Sequence, residues 1–200
     1  MDAESWNQRY RDTELMWSAG PNLFVEEICA DLPAGRSIDL AAGEGRNALW
    51  LADRGWNSTA VDHSDVAIER AERIAAERGL GITTEVADLT TYVPTPGGYD
   101  LVLIAYLQLP DEQLTPILGR AAAAVAPGGT FVLVCHDRDN LEHGHGGPRY
   151  PEVLTTTDQV LAAIGDGLEV ERAEVARRSV DTPDGQRIAL DTVVVARRAN

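Results

Sequence analysis

Apolar positions along the chain fall into two alternating patterns, short runs of strand type and longer stretches of helical spacing. Leu23, Phe24, Ile28 and Leu32 recur at helical intervals, which predicts a helix over Pro21 to Leu32, broken by Pro33-Ala34-Gly35. Ile38 and Leu40 then point the same way at the end of a buried strand. Behind them Arg46 to Arg54 reads as a helix that Gly55 stops. Trp56 to Val61 is a short second strand ending at Asp62. Ser64 caps a helix with Ala67, Ala71, Ile74 and Ala75 on one face, and Gly79 ends it. Ile82 to Val86 alternates as a third strand.

The second half repeats the alternation. Tyr99 to Tyr106 is almost continuously apolar, the pattern of a central strand covered on both faces. Pro110-Asp111 and Thr115-Pro116 mark the starts of two short helical pieces. Pro127-Gly128-Gly129 is a turn before a fifth strand, Thr130 to Cys135. Thr156-x-x-Gln159 has the form of a capping box opening a last helix, with Val160, Leu161 and Ile164 inward. Leu168 to Ala176 and Ile188 to Ala196 alternate on either side of Asp184-Gly185, a hairpin signal. The expected fold is α/β, a seven-stranded mostly parallel sheet with a C-terminal antiparallel hairpin and helices on both faces.

Composition narrows the function. Two hundred residues with no low-complexity linker fit one domain, and 44% hydrophobic residues suffice for a core. A formal net charge of −15 disfavours nucleic acid and anionic membrane surfaces as partners. Cys29 and Cys135 lie in apolar runs and suit buried thiols of a reducing compartment. No apolar run approaches a membrane span, and no basic-then-apolar leader opens the sequence, so the expectation is a cytoplasmic protein, monomer or homodimer.

The chemistry concentrates at the turn after the first strand, Asp39-Leu40-Ala41-Ala42-Gly43-Glu44-Gly45-Arg46-Asn47. Glycine there lets a ligand approach the backbone, and such turns bind nucleotide-like ligands at the carboxyl ends of parallel strands. Gly43-x-Gly45-x-x-Ala48 alone fits NAD. Asp39 before the turn and Glu44 within it would repel a pyrophosphate, however, and an acid here suits an ammonium group. S-adenosylmethionine (SAM) carries an ammonium and a sulfonium and no phosphate. Asp62, at the tip of the next strand, can accept both ribose hydroxyl protons of either ligand.

This stretch resembles the first motif of class I SAM-dependent methyltransferases, and Gly-Glu-Gly-Arg-Asn resembles the tellurite-resistance-type branch. Pro127-Gly128-Gly129, the terminal hairpin and Asp184-Gly185-Gln186-Arg187-Ile188 add to the likeness, which covers residues 35 to 200. It implies a Rossmann-like methyltransferase domain over 35–200, preceded by an N-terminal helical lid over 1–34 whose Trp6, Arg9, Tyr10 and Trp17 line the cofactor site. It implies SAM as cofactor, held by Asp39, Ala41, Gly43, Gly45, Arg46, Asn47, Asp62 and His63. Asp88 would bind the adenine amino group, Leu89 would contact the ring, and Ala105 would lie near the transferred methyl group.

The acceptor is read as a small molecule with a sulfur, oxygen, nitrogen or chalcogen nucleophile. His136 is the candidate base, with Asp137 to orient it and Tyr106 and Tyr150 to position the acceptor. Around it runs a His/Gly-rich loop through His143 and His145, where the family's apolar stretch would stand, so the likeness carries the cofactor and reaction but not a tellurite acceptor. The loop's spacing matches no metal motif, and no metal is expected. The rival readings are an NAD(P)-binding oxidoreductase, disfavoured by the absence of any lysine, and a non-catalytic SAM-binding protein.

Overall fold

The computed structural model describes residues 3–13 and 20–200. Helix α1 (Ala3–Arg11) and helix α2 (Leu23–Cys29) precede β1 (Arg36–Leu40), α3 (Arg46–Asp53), β2 (Asn57–Asp62), α4 (Asp65–Arg78), β3 (Ile82–Val86) and β4 (Tyr99–Ala105). Next come α5 (Asp111–Ala124), β5 (Val125–His136), the short α6 (Asn140–His143), α7 (Thr157–Ile164), β6 (Glu169–Thr182) and β7 (Gly185–Arg197). One seven-stranded sheet runs in the order β3-β2-β1-β4-β5-β7-β6. The first five strands are parallel, and β7 lies antiparallel between β5 and β6. The expected fold class holds.

Alternation along β4 explains its unbroken apolar run. Val102 and Ile104 pack with Ile38, Leu40 and Phe131 toward α5 and α7, whereas Leu101 and Leu103 pack with Val132 and Val134 toward α2 and α3. Each face of the strand has its own core, so no polar alternation is tolerated. The order reverses between β1 and β4, leaving a crevice at their carboxyl ends.

Several local expectations need correction. The two helical pieces after Pro110 are one helix, α5, with Pro116 inside it. Its buried Leu114, Ile117, Leu118 and Ala121 hold that helix together despite the missing Pro N–H. Helix α2 begins at Leu23, because the Asn22 side chain accepts from the N–H groups of Phe24 and Val25 and fixes the start there. The terminal strands reach further than their apolar cores, to Thr182 and Gly185, since hairpin pairing continues beyond the buried part. Ser64 caps α4 through the Ala67 N–H, Gly79 ends it at φ 65°, and the Thr156–Gln159 capping box is formed. Both cysteines are free and buried, which pushes each thiol up to about 12. No helix among the described residues is long and apolar enough to cross a membrane.

Candidate functional site

A cavity of about 540 Å³ opens over the carboxyl ends of β1 and β4. Two non-glycine residues with positive φ flank it, Ala41 (66°) after β1 and Tyr106 (60°) after β4. Strain of this kind, of order 1–3 kcal/mol per residue, gathers where the backbone must meet a ligand. Gly45 has φ 75°, and a Cβ there would stand 3.0 Å from the Ala71 Cβ, so the turn both needs glycine and presses against α4.

The structure brings most of the expected cofactor residues into this cavity wall. Tyr10, Ala41, Gly43, Arg46, Asn47, Asp62, His63, Asp88, Leu89, Ala105 and Tyr106 all line it, as does Trp6. Gly45 shapes the turn without lining it, and Trp17 lies outside the described residues. Asp62 is nearly buried, and its carboxylate accepts from the Gly43 N–H at 2.8 Å and the Ser64 N–H at 2.9 Å. Burial raises its pKa against those two bonds. Asp88 Oδ1 accepts from the Thr90 N–H and hydroxyl, both at 2.8 Å, which together hold it below the usual carboxylate range. Asp88 therefore caps its own turn as well as facing the cavity.

Asp39 is different. It sits under the turn, outside the cavity wall, 1% exposed, with no well-formed hydrogen bond to either carboxylate oxygen. Burial pushes it up to about 7, opposed by the Arg46 charge and weakly by the nearby Ala48 N–H and Asn47 amide. A buried carboxylate without partners marks a place where a cation belongs. Glu44, by contrast, does not act on the ligand. It pairs with Arg70 on α4 at 2.7 Å, so its charge is compensated away from the cavity and supplies no repulsion of a phosphate. Arg70 also donates to the Tyr10 carbonyl, and Ser64 Oγ donates to Asn7 Oδ1 at 2.5 Å. These contacts latch α1 onto α4 and hold Tyr10 against the cavity.

Beyond Tyr106 lies a second polar group. Asp191 on β7 is completely buried and accepts from the Tyr106 hydroxyl (3.1 Å) and from Arg178 Nε on β6 (2.6 Å). His136 Nδ1 stands 3.2 Å from its Oδ1, on a line too oblique for a well-formed hydrogen bond. Burial alone would raise the Asp191 pKa, but His136 and Arg178 outweigh it and hold the group below its usual range. Burial, then Asp191, raises the Tyr106 phenol. Tyr106 and His136 rings lie 4.6 Å apart.

Asp137 does not orient His136, as the sequence reading expected. Its carboxylate accepts from the Thr192 hydroxyl (2.6 Å) and the Asp139 N–H (2.9 Å), because the strand alternates and turns it to the opposite face of the sheet. Asp191 takes that place. Tyr150, His143 and His145 are exposed, and none of these three lines the cavity, nor does His136, the expected base. Asp191, Arg178, Leu109 and Gln113 were missed. Asp191 alone carried a signal, an acid at an inward position of the apolar run Ile188 to Ala196.

Residues 38–129 match the family model described as a methyltransferase domain. The 2-heptyl-1-hydroxyquinolin-4(1H)-one methyltransferase of Mycobacteroides abscessus is 30% identical over 151 residues, 68% of this chain and 66% of that enzyme. Residues 38–129 thus carry a methyltransferase-type domain by sequence. The N-methyltransferase NodS of Bradyrhizobium japonicum, solved with S-adenosylhomocysteine, superposes with a TM-score of 0.74 at 15% identity, covering 99% of this chain and 98% of NodS. TehB of Haemophilus influenzae gives 0.72 at 16% identity, covering 98% of this chain and 66% of TehB. The chain spans just under two thirds of its quinolone-methylating relative.

SAM is the cofactor that the methyltransferase likeness implies, and the residues present fit it. The unpartnered Asp39 suits the ammonium, the preset Asp62 carboxylate suits a ribose diol, and Asp88 and Leu89 suit an adenine edge and face.

Proposed function

We propose that this chain transfers a methyl group from SAM to a small-molecule acceptor. The observation that carries the reading is the buried Asp39 carboxylate, left without a well-formed hydrogen bond beneath a glycine turn whose other acid, Asp62, is held ready by two backbone N–H groups. A dinucleotide pyrophosphate has no use for such a carboxylate. When bound, SAM supplies an electrophilic methyl carbon whose sulfur leaves as a neutral thioether. The chain's task is then to hold the acceptor in line and keep water out. The described residues do this with α1 latched beside the cavity and Leu107 and Leu109 in its wall.

A small acceptor is supported by the limited cavity volume of about 540 Å³, which the cofactor must share, and by the quinolone-methylating relative. The formal charge of −15 argues against a nucleic acid held through its phosphates. We read the protein as cytoplasmic, monomeric or a homodimer.

Calorimetric titration with SAM, S-adenosylhomocysteine and NAD tests the reading. Binding of both adenosyl ligands without NAD is the expected result. NAD binding alone would overturn it in favour of an oxidoreductase. SAM binding with no methyl transfer to any acceptor would instead leave a non-catalytic SAM-binding protein.

A further inference from the structure

The cavity wall divides by chemistry as well as by strand. Asp62, His63 and Asp88 put ionisable groups on the side of β2 and β3. From the end of β4 the wall is one stretch, Tyr106, Leu107, Gln108 and Leu109, continued by Gln113 in the first turn of α5. Of these only Tyr106 can ionise, and its hydroxyl is committed to Asp191 while burial raises the phenol. Gln108 is half-buried, and Gln113 stands exposed at the rim. Neither carboxamide makes a hydrogen bond to another group among the described residues.

The fold carries both amides on anchored backbone. Leu107 and Leu109 pack against the core between the sheet and α5, which fixes the connection on either side of Gln108. Gln113 and Arg120 lie on one stripe of α5, two turns apart. Arg120 donates to the carbonyls of Leu89 (2.6 Å), Thr90 (3.1 Å) and Tyr92 (2.8 Å), and Leu89 and Thr90 are themselves cavity wall. That stripe therefore faces the cavity. The start of the helix is held as well, because Asp111 accepts from Gln159 Nε2 and pairs with Arg138 at 3.7 Å. Groups positioned in advance lose little freedom when a ligand meets them.

Charge and hydrogen bonding together describe what this side can take. A charged edge entering here would shed its water and meet no opposite charge among the described residues of the stretch. Arg46, the cation of the glycine turn, acts on Asp39. A hydrocarbon edge would cover the amides without satisfying them. An amide or lactam edge avoids both costs, since its carbonyl accepts from one glutamine Nε2 and its N–H donates to the other's Oε1. We propose that Gln108 and Gln113 select an uncharged acceptor that carries an amide or lactam edge. The inference rests on the methyltransferase reading above. Leu107, Leu109 and the Tyr106 ring supply the apolar surface beside that edge. Adenine has a comparable edge, and the β3 side with Asp88 and Leu89 suits it. The two glutamines are specificity residues and take no part in moving the methyl group.

Three probes that share a phenol and differ at the far edge test it, by calorimetric binding to the protein loaded with S-adenosylhomocysteine. They are 6-hydroxyquinolin-2(1H)-one with a lactam, 2-naphthol with a hydrocarbon and 6-hydroxy-2-naphthoate with a carboxylate. The lactam should bind roughly tenfold tighter than either of the others, the worth of one or two hydrogen bonds. Gln108→Leu and Gln113→Leu should each weaken lactam binding about three- to tenfold and leave naphthol binding no weaker. If Gln108→Leu does not fold, Gln108→Glu takes its place and should lose the lactam to a similar extent, because it removes the Nε2 donor. Affinity for S-adenosylhomocysteine should stay within about threefold of wild type in every variant. Lactam binding no tighter than naphthol, preference for the carboxylate, or no binding of any probe would overturn the proposal. So would loss of S-adenosylhomocysteine affinity in the variants, which would give the amides to the cofactor. Failure of the wild type to bind S-adenosylhomocysteine would overturn the underlying reading instead.

Discussion

The Gly43 N–H donates to Asp62 Oδ2 at 2.8 Å, tying the glycine turn after β1 to the tip of β2. One carboxylate thereby sets the height of the turn and offers its remaining lone pairs to the cavity. Asp62→Ala should weaken SAM binding by about 1.5–3 kcal/mol, roughly 10- to 150-fold, as expected for a charged acceptor removed from a bound hydroxyl pair. Calorimetry measures it, with circular dichroism to check the fold. Undiminished affinity would take Asp62 out of the site.

Asp39 predicts a proton linkage. Its folded pKa of about 7 lies above the ordinary 3.8, so the folded chain binds a proton that the unfolded chain releases between those values. Its contribution to stability is therefore fully present below pH ~4 and is lost as pH rises toward 7. Asp39→Asn should stabilise the ligand-free protein more at pH 8 than at pH 5, by on the order of a few kcal/mol at most. The same variant should bind SAM poorly. In the wild type near pH 6, SAM binding should release part of a proton, seen as binding enthalpies that differ between phosphate and bis-Tris buffers. Identical enthalpies would separate Asp39 from the ammonium.

Arg70→Leu should destabilise the protein by about 3–5 kcal/mol, because it removes the cation paired with the buried Glu44 carboxylate and a donor to the Tyr10 carbonyl. The double variant Glu44→Leu/Arg70→Leu should recover much of that loss in thermal melts. A single variant as stable as wild type would mean that the pair is dispensable.

Most of the architecture could be read from apolar spacing, since two-sided burial of β4 and the capped face of α4 leave strong patterns. What could not be read has a common cause. Pro116 looked like a start because local chemistry favours one there, yet the buried face of α5 runs through it. In the cavity wall, residues next to one another along the chain were legible, such as Arg46 with Asn47 and Asp62 with His63. The partner of His136 was not. Asp137 was its neighbour in sequence, but a strand turns neighbours to opposite faces, and the true partner comes from β7, 55 residues beyond His136 in numbering.

Pro116 gives a test away from the site. It is exposed on α5, so Pro116→Ala restores a backbone hydrogen bond and removes a clash without loss of packing. The variant should be more stable by about 1–3 kcal/mol with unchanged SAM affinity. Reduced stability in urea melts would show that the ring packs in a way its exposure conceals.

Placing β7 between β5 and β6 has a consequence for how the molecule comes into being. Strand β2 pairs with its chain neighbours β1 and β3, whereas Cys135 must wait for Thr192 and His136 for Asp191. Long separations of this kind are closed late, and a chain on the ribosome cannot close them until β7 has been made. A nascent chain can thus assemble its nucleoside-holding turn while Arg178 and Asp191 have yet to be made. The cluster of Tyr106, His136 and Asp191 is finished by the last strand, so interrupted synthesis leaves a fragment with the glycine turn and His136 without its carboxylate neighbour.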